Sequence, residues 1–245
     1  MTVRFGPPIL RNGLGSFARL QRLTRSDRIA LALDLSERAI VVGLFVLFAY
    51  RMLGRFTALI ALQIEHPELI LAAATMNIGA ILLVISESLG VFLILLRRPS
   101  PTLSAHPLDW ALSFVAVNAP LLTVQAPANT LLPPEASSAV MFAGLIIQIS
   151  AKATLWRSFG IVPANRGVKT GGLYRLVRHP IYAGYTLTHV GFLLGFPSLS
   201  NSLLYLAVLL VQIARIIREE RLLSRDPDYR NYMERVRYRL APGIF

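Results

Sequence analysis

Of the 245 residues, 54% are apolar and only 16% charged, against roughly 25% charged in an ordinary water-soluble domain. That balance argues against a soluble enzyme, and a formal charge of +12 broken up by long apolar runs argues against a continuous nucleic-acid face, so no nucleic-acid partner is expected. Cysteine is absent, which removes disulfides, thiolate nucleophiles and cysteine-ligated metals from consideration, and no metal site is expected.

In chain order, residues 1–29 spread arginines from Arg4 to Arg28. No short apolar core precedes a small-residue cleavage site, so no cleaved signal peptide is expected. The stretch reads as a basic cytoplasmic segment suited to anionic lipid. Six apolar segments follow, at 30–50, 68–96, 108–132, 136–156, 181–196 and 202–217, each approaching the ~20 residues a helix needs to cross hydrocarbon. Asp34, Glu37 and Arg38 interrupt the first, which either spans or lies on the surface as an amphipathic helix. Pro120 and Pro127 are expected to kink the third, neighbouring helices satisfying the freed backbone groups. The last two segments are short and joined by Pro197–Asn201, which reads as a tight helical hairpin.

Lysine and arginine concentrate in cytoplasmic loops. With the N-terminus inside, all of the 25 basic residues except Arg51 and Arg55 fall on the cytoplasmic side. The expected fold is therefore an all-α, polytopic integral membrane protein of about six transmembrane helices with both termini cytoplasmic. Residues 30–156 hold four helices; residues 157–245 hold the hairpin, a C-terminal cytoplasmic segment and a cofactor pocket.

The chemistry-bearing residues gather in that last third. Gly184, Thr188, Gly191 and Gly195 share one helix face, and small residues at this spacing let membrane helices approach closely. Tyr182, Tyr185 and His189 lie together on the opposite side, His189 reading as a hydrogen-bonded interior group. Pro180 fits a first helical turn and biases His179 toward extended backbone. One helix later, Gln212, Arg215 and Glu219 share a face, with Glu220 beside Glu219.

The run Thr170-Gly171-Gly172-Leu173-Tyr174, then Arg178-His179-Pro180-Ile181-Tyr182-Ala183-Gly184, then Glu219-Glu220 after one hairpin, resembles the isoprenylcysteine carboxyl methyltransferases and their bacterial relatives. Tyr229, Tyr232 and the closing Val236-Arg237-Tyr238-Arg239-Leu240-Ala241-Pro242 match the same pattern, so the resemblance covers about 158–242. It implies that S-adenosyl-L-methionine binds in a cytoplasmic pocket, contacted by Arg166, Gly167, Val168 and Lys169, by Tyr174, by His179, Pro180, Ile181 and Tyr182, and by the carboxylate of Glu219. It places Arg215 against the substrate, with Arg215 and Glu219 as the catalytic pair. Arg166-Gly167 departs from the residues usual in that loop. A multi-pass protein of the bacterial inner membrane is the expected setting, its partners membrane lipids and a lipophilic or lipid-linked acceptor.

These residue types suit the cofactor on chemical grounds too, since it presents a sulfonium, an ammonium, a carboxylate and a flat adenine, which acidic, basic and aromatic side chains meet together. A carboxylate acceptor is already ionised at neutral pH and needs no base, whereas an amine needs one, with His179 or Glu220 as candidates. Carboxyl O-methylation of an isoprenylcysteine-like substrate is the leading expectation. Phospholipid N-methylation, an NADPH-dependent membrane reductase and a non-catalytic scaffold are the alternatives.

Overall fold

The computed structural model describes residues 2–4, 25–65, 70–98, 100, 102–124 and 130–245. Most of the basic N-terminal segment, and Pro127, lie outside these. Seven α-helices are described: α1 (Arg25–Glu65), α2 (Ile70–Leu96), α3 (Pro107–Asn118), α4 (Pro134–Leu155), α5 (Pro180–Gly195), α6 (Leu199–Leu223) and α7 (Pro227–Arg235). The fold is mostly helical, as expected, with one small antiparallel sheet that was not, in which β1 (Thr2–Arg4), β2 (Thr102–Ser104) and β3 (Ala164–Asn165) pair in that order. Thr2 faces Ser104 and Thr102 faces Asn165. Segments of two or three residues carry too little alternation to be recognised as strands in advance.

Each of the six apolar segments contains helix among the described residues, with lengths that differ from expectation. α1 runs for 41 residues. Two of its carboxylates turn inward: Asp34 and Glu37 are 4% and 0% exposed, and Arg97 at the end of α2 reaches both, at 2.6 and 2.8 Å. The third segment is not one kinked helix. α3 stops at Asn118 and gives way to a 3₁₀ turn, Ala119–Leu122. Pro120 lacks the N–H that would continue the helix, and Asn118 Nδ2 donates to the Phe114 carbonyl at 2.8 Å. The hairpin forms as expected, α6 opening where the Ser198 side chain accepts from the Asn201 N–H.

Two helical stretches among the described residues, Pro134–Ser158 and Leu199–Leu223, are long and apolar enough to cross a membrane. Only 28% and 33% of their apolar windows are buried, whereas the core helix of a soluble protein is mostly buried. Leu203, Leu206 and Leu210 stand exposed on α6, as do Val46, Tyr50 and Leu53 on α1. Outward aliphatic faces of this kind suit lipid.

The most extensive helix contact joins α4 to α5, and the glycine stripe makes it. A Cβ on Gly184 would lie 2.8 Å from the Gly144 carbonyl, and one on Gly191 2.7 Å from the Met141 backbone nitrogen. Close approach of this pair turns the opposite face of α5, with its tyrosines, toward α6 and the cavity described next.

Candidate active site

A cavity of about 430 Å³ lies among α1, α2, α4, α5, α6 and the segment between α4 and α5. Ten of the eleven residues expected at the site line it: Arg166 through Lys169, Tyr174, His179, Ile181, Tyr182, Arg215 and Glu219. Pro180 does not; it is buried at the start of α5.

The segment 158–169 is held from several sides. Glu37 Oε1 accepts the N–H groups of Ile161 and Val162 at 2.9 and 3.1 Å, while the Ile161 carbonyl accepts from Ser113 Oγ at 3.2 Å and from Arg215 Nη2 at 3.1 Å. Ser158 Oγ donates to the Arg166 carbonyl at 2.9 Å. Gly167 has φ +93°, a region that side-chain-bearing residues rarely adopt, and its N–H donates to Asn165 Oδ1 at 3.0 Å. The conformation accounts for glycine at this departure from the resembled pattern.

The Arg166 side chain packs against Gly160. Its Nη2 sits 3.5 Å from Glu37 Oε2, and neither Nε nor Nη2 makes a hydrogen bond. Burial pulls its pKa down to about 10, with the Glu37 charge opposing; the guanidinium therefore stays charged at neutral pH and retains donors for an anionic group.

Tyr174 sits in the 3₁₀ turn Gly172–Arg175 and packs with Ala151, Tyr229, Tyr232 and Val236. Burial raises its phenol well above the ordinary range, the Glu219 charge adding to the effect. Tyr232, pushed up to about 12 by burial, donates its hydroxyl to the Tyr174 carbonyl at 2.8 Å. The aromatic wall stays neutral and fixed.

Glu219 and its neighbour Glu220 do different work. Glu219 lines the cavity and accepts from the Tyr182 hydroxyl at 3.0 Å. Arg215 lies over the Tyr182 ring, 5.0 Å from its centroid, and its buried Nε has no hydrogen-bond partner. Glu220 is absent from the cavity wall. It receives Arg178 Nε at 2.6 Å and Arg239 Nε at 2.9 Å, with His179 Nε2 at 3.2 Å. The N–H groups of Arg178 and His179 also donate to the Tyr238 and Arg239 carbonyls. Glu220 thus ties the start of α5 to the segment after α7. Its oxygens, and His179 Nε2, are engaged there and are poorly disposed to take a substrate proton.

The family model described as Phospholipid methyltransferase matches residues 136–226. No curated protein matches the chain. The matched stretch runs from α4 nearly to α7 and includes every expected site residue. Its family falls within the same membrane methyltransferase superfamily as the isoprenylcysteine carboxyl methyltransferases.

Two cavity residues, Lys152 and Gln148, escaped the sequence reading. Lys152 is 1% exposed and donates to the Ser86 carbonyl and hydroxyl and to Glu87 Oε1, at 3.0, 2.9 and 3.0 Å. Gln148, one turn earlier on α4, lines the cavity with Tyr185 and His189. A lysine late in an apolar helix passes for an interfacial charge, and only the assembled helices reveal its carboxylate. His189 stacks on Tyr205, ring centroids 4.4 Å apart.

Proposed function

We propose that this chain is an S-adenosylmethionine-dependent integral membrane methyltransferase acting on a lipophilic acceptor that reaches the cavity from the bilayer. The carrying observation is one cavity with two kinds of wall. Arg166, Lys169, Tyr182, Arg215 and Glu219 line it toward the α5–α6 side, and Val41, Phe45, Phe48 and Ile94 line it from α1 and α2. A water-soluble cofactor and a lipid tail need such complementary surroundings.

The residues fit the cofactor's chemistry. Arg166 keeps a buried Nε without a hydrogen-bond partner, matching a carboxylate, while Glu219 and the tyrosine rings match cationic and aromatic parts. The cofactor would supply a methyl carbon activated by its sulfonium, for in-line displacement. Glu219 is held in orientation by Tyr182, and Arg215 is held over that ring with one donor to spare. Rigid placement of this kind is the main contribution a protein makes to displacement.

For a carboxylate acceptor, Arg215 aligns an already ionised oxygen. The match to a phospholipid methyltransferase model favours a second reading, an amine acceptor, for which Glu219 is the cavity carboxylate beside Arg215 able to take the proton. The six-crossing topology with cytoplasmic termini belongs to the proposal.

Purified full-length protein, incubated with radiolabelled S-adenosylmethionine and bilayers containing either phosphatidylethanolamine or a prenylcysteine, is expected to move label into the lipid fraction. Failure to bind S-adenosylhomocysteine in calorimetry would sink the proposal, and binding of NADPH in its place would point to a reductase.

A further inference from the structure

We infer that the cavity contains a second polar subsite, at Gln148, that takes a hydrogen-bond donor, a hydroxyl or an N–H, carried by the lipophilic acceptor apart from the atom that is methylated. The inference rests on the methyl-transfer reading only in calling that amphiphile an acceptor.

The orientation of the Gln148 amide follows from proton counting. Thr188 has one hydroxyl proton and donates it to the Gly184 carbonyl at 2.9 Å. Its oxygen can then only accept, and it does so from Gln148 Nε2 at 2.9 Å. Turning the amide over would set two oxygens together unless Thr188 withdrew its proton from the Gly184 carbonyl, at the cost of that hydrogen bond. The carbonyl end of Gln148 is thereby fixed away from Thr188.

Among the described residues no group meets that carbonyl end. Oε1 is buried without a hydrogen-bond partner, on a residue 1% exposed. Lys152, one turn along the same face, has its three protons directed at the Ser86 carbonyl, the Ser86 hydroxyl and Glu87. The side chain has little freedom to seek another partner, because the α4–α5 contact is so close that a Cβ on Gly184 would lie 2.7 Å from Gln148 Cγ. A buried carbonyl left unmet costs on the order of 1–3 kcal/mol, and Gln148 lines the same cavity as Arg215 and Glu219. A ligand that brings a donor recovers that cost; one without a donor does not.

Amphiphiles of two kinds supply this chemistry: a prenylated amino acid through its amide N–H, and a lysophospholipid through its free glycerol hydroxyl. The test uses the full-length protein in detergent micelles without S-adenosylmethionine. Calorimetry compares N-acetyl-S-farnesylcysteine with its N-methylated amide, and lysophosphatidylethanolamine with its glycerol O-methyl ether. In at least one pair the donor-bearing member is expected to bind about tenfold tighter, and which pair responds names the source. Gln148→Met, of equal length and without the acceptor, is expected to abolish the difference. Gln148→Glu is expected to restore it, since a protonated carboxyl can donate to Thr188 and still offer its other oxygen. Equal affinity within both pairs, the result if water alone meets Gln148, overturns the inference, as does a preference that survives Gln148→Met or failure of all four amphiphiles to bind. A donor preference in a protein that does not bind S-adenosylhomocysteine would overturn the methyl-transfer reading and leave the subsite standing.

Discussion

On the α5–α7 side, Glu220 gathers Arg178 from 42 residues away and Arg239 from 19; on the α1–α2 side, Glu87 pairs with Lys152 across 65 residues and Glu37 holds the Ile161 amide across 124. The first cluster lies where the chain changes from helix to connecting segment, and it joins pieces that motif reading already groups. The second lies inside long apolar helices, where an unpaired ion would be far more costly. The difference shows that the half of the chain before the matched stretch does more than embed the protein. Glu37, from α1, anchors the backbone of the segment that leads to Arg166.

Glu37→Leu leaves Arg97 and Arg166 without their shared carboxylate and is expected to destabilise the protein by about 3–5 kcal/mol, measured by thermal unfolding in detergent. Glu37→Gln, which keeps the shape, should unfold closer to the wild type while the Ile161 and Val162 amides exchange hydrogen faster. Unchanged exchange would mean that the segment is held by its other contacts. Next in size, Glu219→Ala should lower methyl transfer about 100-fold with the unfolding temperature retained; substantial remaining activity would remove Glu219 from the reacting machinery. Gly184→Ala forces α4 and α5 apart against a backbone carbonyl and is expected to cost about 1–3 kcal/mol, read by the same unfolding assay. The smallest effect is Tyr232→Phe, which removes one buried hydrogen bond to Tyr174 and should cost about 1 kcal/mol.

Much of the α4–α7 half was legible because its signals are local. The glycine stripe is periodic along one helix, His179-Pro180 is a boundary by the rules of proline, and Arg215 and Glu219 are one helical turn apart. What could not be read was pairing over distance. Nothing in the neighbourhood of Glu37 names Ile161 or Arg166, and Asp34 and Glu37 look alike whether they face solvent or a buried arginine. Glu219 and Glu220 are adjacent and chemically identical, so only the azimuth of α6 decides that one lines the cavity while the other fastens the chain. The end of α3 was missed for a different reason: Pro120 is compatible with a kinked helix or a stopped one, and Asn118 bonding to Phe114 settles it locally for the stop.

Thr188, set down first as one small residue in a packing stripe, also acts as the grammar of the cavity corner it borders. Its lone proton gives the chain of bonds from Gln148 to Gly184 a direction. Thr188→Val, nearly unchanged in shape, erases that direction and frees the amide to turn over and offer its NH₂ group. The corner would then take ligands carrying either a hydrogen-bond donor or an acceptor. The chemical preference of the pocket is in this sense recorded by a side chain that points one proton the other way.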